Sequence, residues 1–461
     1  MALVLSGMLW ASGASGETRE ILNFRLFGEA FHTPSADSSR DQSYAMLHGR
    51  LRGGFELKND QFSVLALLQA AGTTGIPDNG AFGIGRAYYA ANGETSPGKI
   101  WAIEFYARYQ SPAFKVVVGR TRFTSAGEAR TGVKYLDWVK KRRLQERLIG
   151  NWDWVNVGRR YDGIAVGFGG EKARIDAFGF RPLQGGINYN DAYEWFTNLV
   201  IYGGSVTSLY DQLIPKSEVQ VFYIYYDDSR PATRANPTVV DGDIKISTIG
   251  ASWLVGDERD DLLAWFAYQF GDWGVEPQEA LAFLFEVGRS VGSSGKFRLG
   301  YAQASGDDTD THGSVIPTDD KHKSFYNLLP TNHKWYGAMD YNAFSNLRTL
   351  YVTYNHTFNQ QWSGRAALHG FNLFNRRDAW YGGSGPFNDA ALGYAGRRSS
   401  GENFQSSKIG QELDVEGAWK FKGNHELSGG GGIFWGDKAA GQFLTVDKNG
   451  LWGYLQLTLS I

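Results

Sequence analysis

Along residues 450–461 apolar and polar side chains alternate without a break. Leu455, Leu457, Leu459 and Ile461 fall on one face, and Gln456, Thr458 and Ser460 on the other. A period of two is the signature of an extended strand between two unlike environments. The same alternation sets Gly410, Glu412, Asp414 and Glu416 against Ile409, Gln411, Leu413 and Val415, and Glu104, Tyr106, Arg108 and Gln110 against Trp101, Ile103, Phe105 and Ala107. Extended segments rich in Val, Ile, Tyr, Phe and Trp are expected at 20–31, 43–57, 60–70, 100–110, 113–121, 160–168, 172–181, 194–204, 217–226, 244–255, 261–270, 278–288, 296–304, 345–358, 361–374, 407–421, 425–435 and 450–460. Their length suits a tilted strand crossing a bilayer.

The connections alternate as well. Those at 58–59, 111–112, 169–171, 256–260, 359–360 and 422–424 are tight, whereas 71–99, 122–159, 305–344 and 375–406 are long; only 205–216, on the tight side, exceeds a turn. Together these features predict an all-β fold, a single transmembrane antiparallel β-barrel of about 18 strands with short periplasmic turns and long extracellular loops. In so wide a barrel the apolar face meets lipid and the polar face the lumen. Mid-strand carboxylates and arginines are therefore expected inward, since facing hydrocarbon would cost a few kcal/mol each. Trp101, Trp195, Tyr223, Tyr225, Trp253, Trp362, Trp419 and Trp452 lie near strand ends and are expected as interfacial girdles.

Composition narrows the alternatives. There is no cysteine among 461 residues, so disulfides, thiolate metal sites and cysteine nucleophiles are excluded. A net charge of −2 argues against nucleic acid as a partner. Residues 1–16, MALVLSGMLWASGASG, run from apolar to small and read as a signal peptide that lacks its basic start, with residues 17–461 forming the barrel. Against this near-neutral background, Lys134 through Asp162 carries eight Lys or Arg and four acids. Within it, Glu146–Gly163 gathers Arg147, Arg159, Arg160, Asp153 and Asp162 around Trp152, Trp154 and Tyr161. Such a cluster suits an anionic partner or a narrow polar passage. A structural ion-pair network and a solvated loop are the other two readings.

Several motifs carry a resemblance. Gly119-Arg120 ends a strand, and Glu146-Arg147-Leu148-Ile149-Gly150, Asp153-Trp154, Asn156, Gly158-Arg159 and Tyr161-Asp162-Gly163 follow. Leu329-Pro330-Thr331-Asn332-His333-Lys334, Tyr336-Gly337, Met339-Asp340, Asn346-Leu347-Arg348, Arg377-Asp378-Ala379-Trp380-Tyr381 and Gly410-Gln411-Glu412-Leu413-Asp414 come later. In this order the chain resembles the alginate export family of outer-membrane β-barrels. The resemblance implies a monomeric channel, not an enzyme, in the outer membrane of a Gram-negative bacterium. It would lie among membrane lipid and lipopolysaccharide, pass an anionic polysaccharide or small hydrophilic solutes, and work with periplasmic secretion partners. Arg120, Arg147, Arg159 and Arg160 would then project into the lumen, held by Asp153, Glu146 and Asp162. Glu104, Arg108, Lys334, Arg348, Arg377, Asp378, Glu412 and Asp414 complete the expected lining. Inward Glu104, Glu286, Glu412, Asp414 and Glu416 make that lining mixed in sign and leave the solute open.

Other constellations are weaker. Asp308-x-Asp310-x-His312-Gly313 with Asp319 echoes a calcium loop but has neither flanking helices nor a terminal Glu, so no metal or cofactor is expected. Arg376, Arg377 and Asp378 beside Trp380 and Tyr381 suit saccharide contact or loop packing equally. Hydrolase, phosphate-loop and zinc-protease motifs are missing. The rival readings are a barrel hydrolase and a secreted all-β saccharide-binding protein.

Overall fold

The computed structural model describes residues 16–231, 242–308, 321–390, 394, 396–397, 399, 403–445 and 449–461. Two sequence expectations, the leader within 1–15 and the calcium-like loop around Asp310, His312 and Asp319, lie outside these residues.

Eighteen antiparallel strands form the wall. They are β1 (Glu17–His32), β2 (Ser43–Lys58), β3 (Phe62–Thr74), β4 (Gly98–Gln110), β5 (Phe114–Thr121), β6 (Tyr161–Gly169), β7 (Ala173–Pro182), β8 (Leu199–Ser208) and β9 (Ser217–Asp228). They continue as β10 (Ile244–Gly256), β11 (Asp260–Trp273), β12 (Glu276–Val291), β13 (Gly295–Ala304), β14 (Leu347–Thr357) and β15 (Trp362–Leu373). A small ribbon, β16 (Trp380–Tyr381) with β17 (Gly396–Arg397), stands apart from the wall, which resumes with β18 (Lys408–Phe421), β19 (His425–Gly436) and β20 (Gly450–Ser460). Each wall strand bonds to the next, and β20 returns to β1 from Asn23↔Ser460 to His32↔Leu451, so no edge is left open.

The connections sort by side. Those at 59–61, 111–113, 170–172, 209–216, 257–259, 292–294, 358–361 and 422–424 are short and mark the periplasmic rim. Opposite them are the loops at 33–42, 75–97, 122–160, 183–198, 229–243, 305–346, 374–407 and 437–449, with one two-residue exception at 274–275. The expected strand 194–204 is displaced to Leu199–Ser208. Its start is loop because the Trp195 indole donates to Asp162 and the Thr197 N–H to Asp389.

Alternation holds in three dimensions. Leu455, Leu350 and Ile100 point outward with 62%, 58% and 72% of their surface free, as expected of a lipid face. A periplasmic aromatic belt includes the pairs Phe62–Tyr109 at 4.8 Å, Phe114–Phe168 at 5.0 Å and Trp362–Trp419 at 5.6 Å. Two expected girdle residues belong elsewhere. Trp452 is buried in the lumen, donating to Glu29 at 3.2 Å. Trp101 is also buried inside, because a bulge between Leu67 and Leu68 leaves Ile103 unopposed and reverses the alternation of β4 above Glu104.

The lumen is not empty. Loop 122–160, with helix α1 (Lys134–Val139) running into a π-helical turn at Lys140–Leu144, folds inward. The stretch 325–346 packs on it, and Leu136, Ile149, Val157, Leu329, Tyr336 and Phe344 make an apolar centre inside the polar wall.

The lipid face generates a direct test. Leu455→Arg is expected to cost about 2–4 kcal/mol, the midplane cost for a basic residue, whereas inward Gln456→Arg costs far less. Urea unfolding in liposomes, followed by heat-modifiable gel mobility, measures both.

Candidate functional site

The folded-in loop is tied to opposite walls by buried charge. On β12, Glu286 accepts from Arg143 Nη2 at 2.8 Å, Arg147 Nη2 at 3.4 Å, Arg298 Nε at 2.8 Å and the Tyr351 hydroxyl at 2.6 Å. Arg298 also donates both terminal nitrogens to Asp261 at 2.8 and 2.9 Å. Lys140 pairs with Glu218 on β9. The guanidinium of Arg147 stacks 4.2 Å over Trp335. Every one of these groups is buried, so the array must be satisfied by itself.

Across the lumen the balance is different. Arg25, Arg50 and Arg52 project inward from β1 and β2, Arg122 and Arg160 stand at the two ends of the loop, and among the described residues only Asp153 and Glu104 pair with any of them. Asp153 meets Arg52 at 3.0 Å, Arg160 at 3.2 Å and Arg122. Burial alone would raise its carboxyl, but the surrounding Arg122, Arg160 and Arg52 hold it well below the usual carboxylate range. Arg25 is spent on the backbone carbonyls of Asp153, Trp154 and Val155, each at 3.0 Å. Arg50 differs from all of these. It is 7% exposed, and among the described residues its Nε and Nη1 have no hydrogen-bond partner.

Two cavities open beside this cluster. The smaller, about 190 Å³, is bordered by Arg108, Lys115, Arg122 and Arg174 against Glu128 and Asp176. The larger, about 650 Å³, forms a vestibule toward the short turns, with Arg142, Lys334 and Arg365 opposite Glu146 and Glu416. Lys334 donates to the carbonyls of Lys141 and Gln145 at 2.7 and 3.3 Å and meets Glu146 at 3.3 Å. Burial pushes its amine down to about 8, against the pull of Glu146. His333, 2.9 Å from Asp340, stacks on Trp154 at 4.0 Å.

The sequence-derived residues divide by location. Glu104, Arg108, Glu412 and Asp414 point into the lumen as alternation requires. Glu412 and Asp414 accept the Met339 and Ala338 N–H groups at 2.9 and 3.3 Å and so dock the second loop on β18. Gly337 makes that approach feasible: with φ 89°, an added Cβ would stand 2.5 Å from Glu412. Arg147, Arg159 and Arg160 are buried, and Arg147 borders the smaller cavity. Arg159 lies 5.5 Å from the Trp152 ring and reaches the Pro386 carbonyl, between extracellular loops. Asp378 knots those loops by accepting the Asp307 and Ala379 N–H groups at 3.0 and 2.7 Å, while Arg377 is exposed and donates to the Asp308 carbonyl.

Three placements correct the expectation. Arg120, Asp162 and Arg348 face outward, because Arg120 pairs across Phe105 and Asp162, and Arg348 alternates with lipid-exposed Leu350. They lie one or two residues from strand ends, where an outward charge reaches headgroups. Conversely, Arg25, Arg50, Arg52, Arg122, Arg143 and Arg298 were not singled out in sequence. Arg25, Arg50 and Arg52 carry a usable signal, since they alternate with outward Leu26 and Leu51. Among the described residues no His, Cys, Asp and Glu cluster is arranged to hold a metal.

Comparisons agree on the architecture. The family model described as "Alginate export" matches residues 102–445. No curated protein matches the chain. Among solved structures, OccK5 (OpdH) of Pseudomonas aeruginosa is similar with TM-score 0.57 at 10% identity, covering 96% of this chain and 98% of that one. A BenF-like porin from Pseudomonas fluorescens Pf-5 also has TM-score 0.57, at 9% identity over 96% and 98%. OpdK of Pseudomonas aeruginosa, with vanillate, has TM-score 0.53 at 11% identity over 96% and 99%. At such identities these structures share the fold.

Neutralising Glu286 tests the buried array. Glu286→Gln leaves Arg143, Arg147 and Arg298 short of one carboxylate, an expected loss of about 3–5 kcal/mol. Limited proteolysis within 122–160 should accelerate, and single-channel current should rise as the loop detaches.

Proposed function

The chain belongs to the alginate export family, and from that premise we propose that it is a passive outer-membrane channel for an anionic polysaccharide, with its constriction at the guanidinium cluster around Asp153. The observation that carries the reading is Arg50, a buried cation whose Nε and Nη1 are unpaired among the described residues, beside Arg25, Arg52 and Arg160. Leaving such donors unsatisfied is costly, and a passing carboxylate would satisfy them in the bidentate geometry that guanidinium favours. Arg122, half-exposed, sits between this cluster and the smaller cavity and would hand carboxylates on. Asp153 lowers the net charge there, which permits release as well as capture.

A second reading, small hydrophilic anions, is favoured by the loops that fill the lumen at mid-height and leave separate cavities of about 190 and 650 Å³. Liposome swelling separates the two, with polyuronate oligomers and small carboxylates as solutes.

Planar-bilayer recordings test the constriction. Arg50→Gln with Arg122→Gln should lower anion preference several-fold and remove block by polyuronate oligomers. Unchanged selectivity in a folded double variant would refute the assignment.

Lys334 adds a pH dependence. As pH rises through about 8 its amine loses the proton, so the vestibule loses a positive charge and anion preference falls. In the unfolded chain the amine keeps its proton to about 10.4, so stability contributed by this group rises between these pH values. Lys334→Met should flatten both profiles when reversal potentials and melting temperatures are recorded from pH 7 to 10.

A further inference from the structure

Arg120 and Asp162, which the lumen does not use, belong to a built cluster on the outside of the barrel. Arg120 donates Nε and Nη2 to Asp162, both at 2.8 Å, and Asp162 also accepts the Trp195 indole N–H at 2.8 Å. Arg181 is paired across from Asp162, and its guanidinium lies 4.1 Å over the Trp195 ring. From the adjoining loop, Tyr193 offers its carbonyl to Arg120 at 3.2 Å and its ring to the Lys99 amine at 4.5 Å. The one carboxylate is already engaged by Arg120 and Trp195. Lys99 starts from the inward face of β4, but among the described residues no salt bridge reaches Arg181, so the outer cluster carries surplus positive charge beside two half-exposed rings.

Its height follows from strand length. β5 has 8 residues and β6 has 9. Eight residues at ~3.4 Å each, tilted ~40°, rise only ~20 Å, slightly less than an apolar band of ~25 Å. Val118 and Ile164, one outward position nearer the membrane centre, are 50% and 45% exposed. Arg120, Asp162 and Arg181 therefore stand where the extracellular leaflet's headgroups begin. At the periplasmic rim two exposed cations are neutralised instead, Arg289 by Asp260 at 2.6 Å and Lys216 by Asp257 at 3.3 Å.

We propose that this cluster binds a phosphate of lipopolysaccharide. Arg181 supplies the charge-assisted hydrogen bonds, and Trp195 and Tyr193 pack against the glucosamine ring that bears the phosphate. Arg120 and Asp162 position the Trp195 indole. The site is independent of what passes through the lumen. Binding is measured on the purified barrel in detergent, with heat-modifiable mobility confirming the fold. The probes are deep-rough lipopolysaccharide, its enzymatically dephosphorylated form, phosphatidylglycerol and inorganic phosphate. Wild type should prefer intact lipopolysaccharide over the other three. Arg181→Ala and Trp195→Ala, read separately so that a folding failure of one leaves the other informative, should each weaken it by about tenfold. Equal binding of the dephosphorylated form, of phosphatidylglycerol or of inorganic phosphate overturns the proposal, as does a folded variant within about twofold of wild type, well under one hydrogen bond's worth.

Discussion

Charge inside the barrel has to be answered inside the barrel. Glu286 on one wall and the Asp153 cluster on the other are the two ends of that constraint, and loop 122–160 is stretched between them. The loop's cations, Lys140, Arg143 and Arg147, find their carboxylates on β9 and β12, while its acid Asp153 is claimed by Arg52 from β2. Neither the loop nor the inward face of the wall could bury its charges without the other. The apolar centre of Leu136, Ile149 and Leu329 then packs because the charged ends have already set its position.

The two sides of the lumen use the same chemistry to different ends. Around Glu286 and Asp261, the three guanidiniums of Arg143, Arg147 and Arg298 are all hydrogen-bonded to carboxylate, which makes an anchor. Around Asp153, the Nε and Nη1 of Arg50 have no hydrogen-bond partner among the described residues, and it is on this side that the proposed anion path runs. Glu412 and Asp414 show a third use, in which carboxylates grip backbone N–H groups and hold the second loop against β18. An anchored loop with one under-neutralised edge is the arrangement on which the proposed anion path rests.

How much of this was legible depended on the period. Alternation placed Glu104, Arg108, Glu412 and Asp414 inward, and it would have found Arg25, Arg50 and Arg52 by the same rule. It failed at Trp101, where one extra residue at the bulge reverses inside and outside. It could not speak for Arg147, Arg159 and Arg160, which sit in a loop without any period. Arg120 and Asp162 were read together with that loop because they adjoin it in sequence, yet they follow the outward face of their own strands.

By itself, the sequence determined the two-faced wall: strand number, the short and long rims and the lipid-facing side, because a strand's side chains alternate whatever lies beyond it. It also placed a cationic stretch between β5 and β6. Only the tertiary structure decided which of those charges meet. Loop path, bulges and closure bring Arg143 to Glu286 and Arg52 to Asp153 across gaps of more than a hundred residues. Ion pairing at that separation depends on angstrom-scale geometry, and no local pattern encodes it.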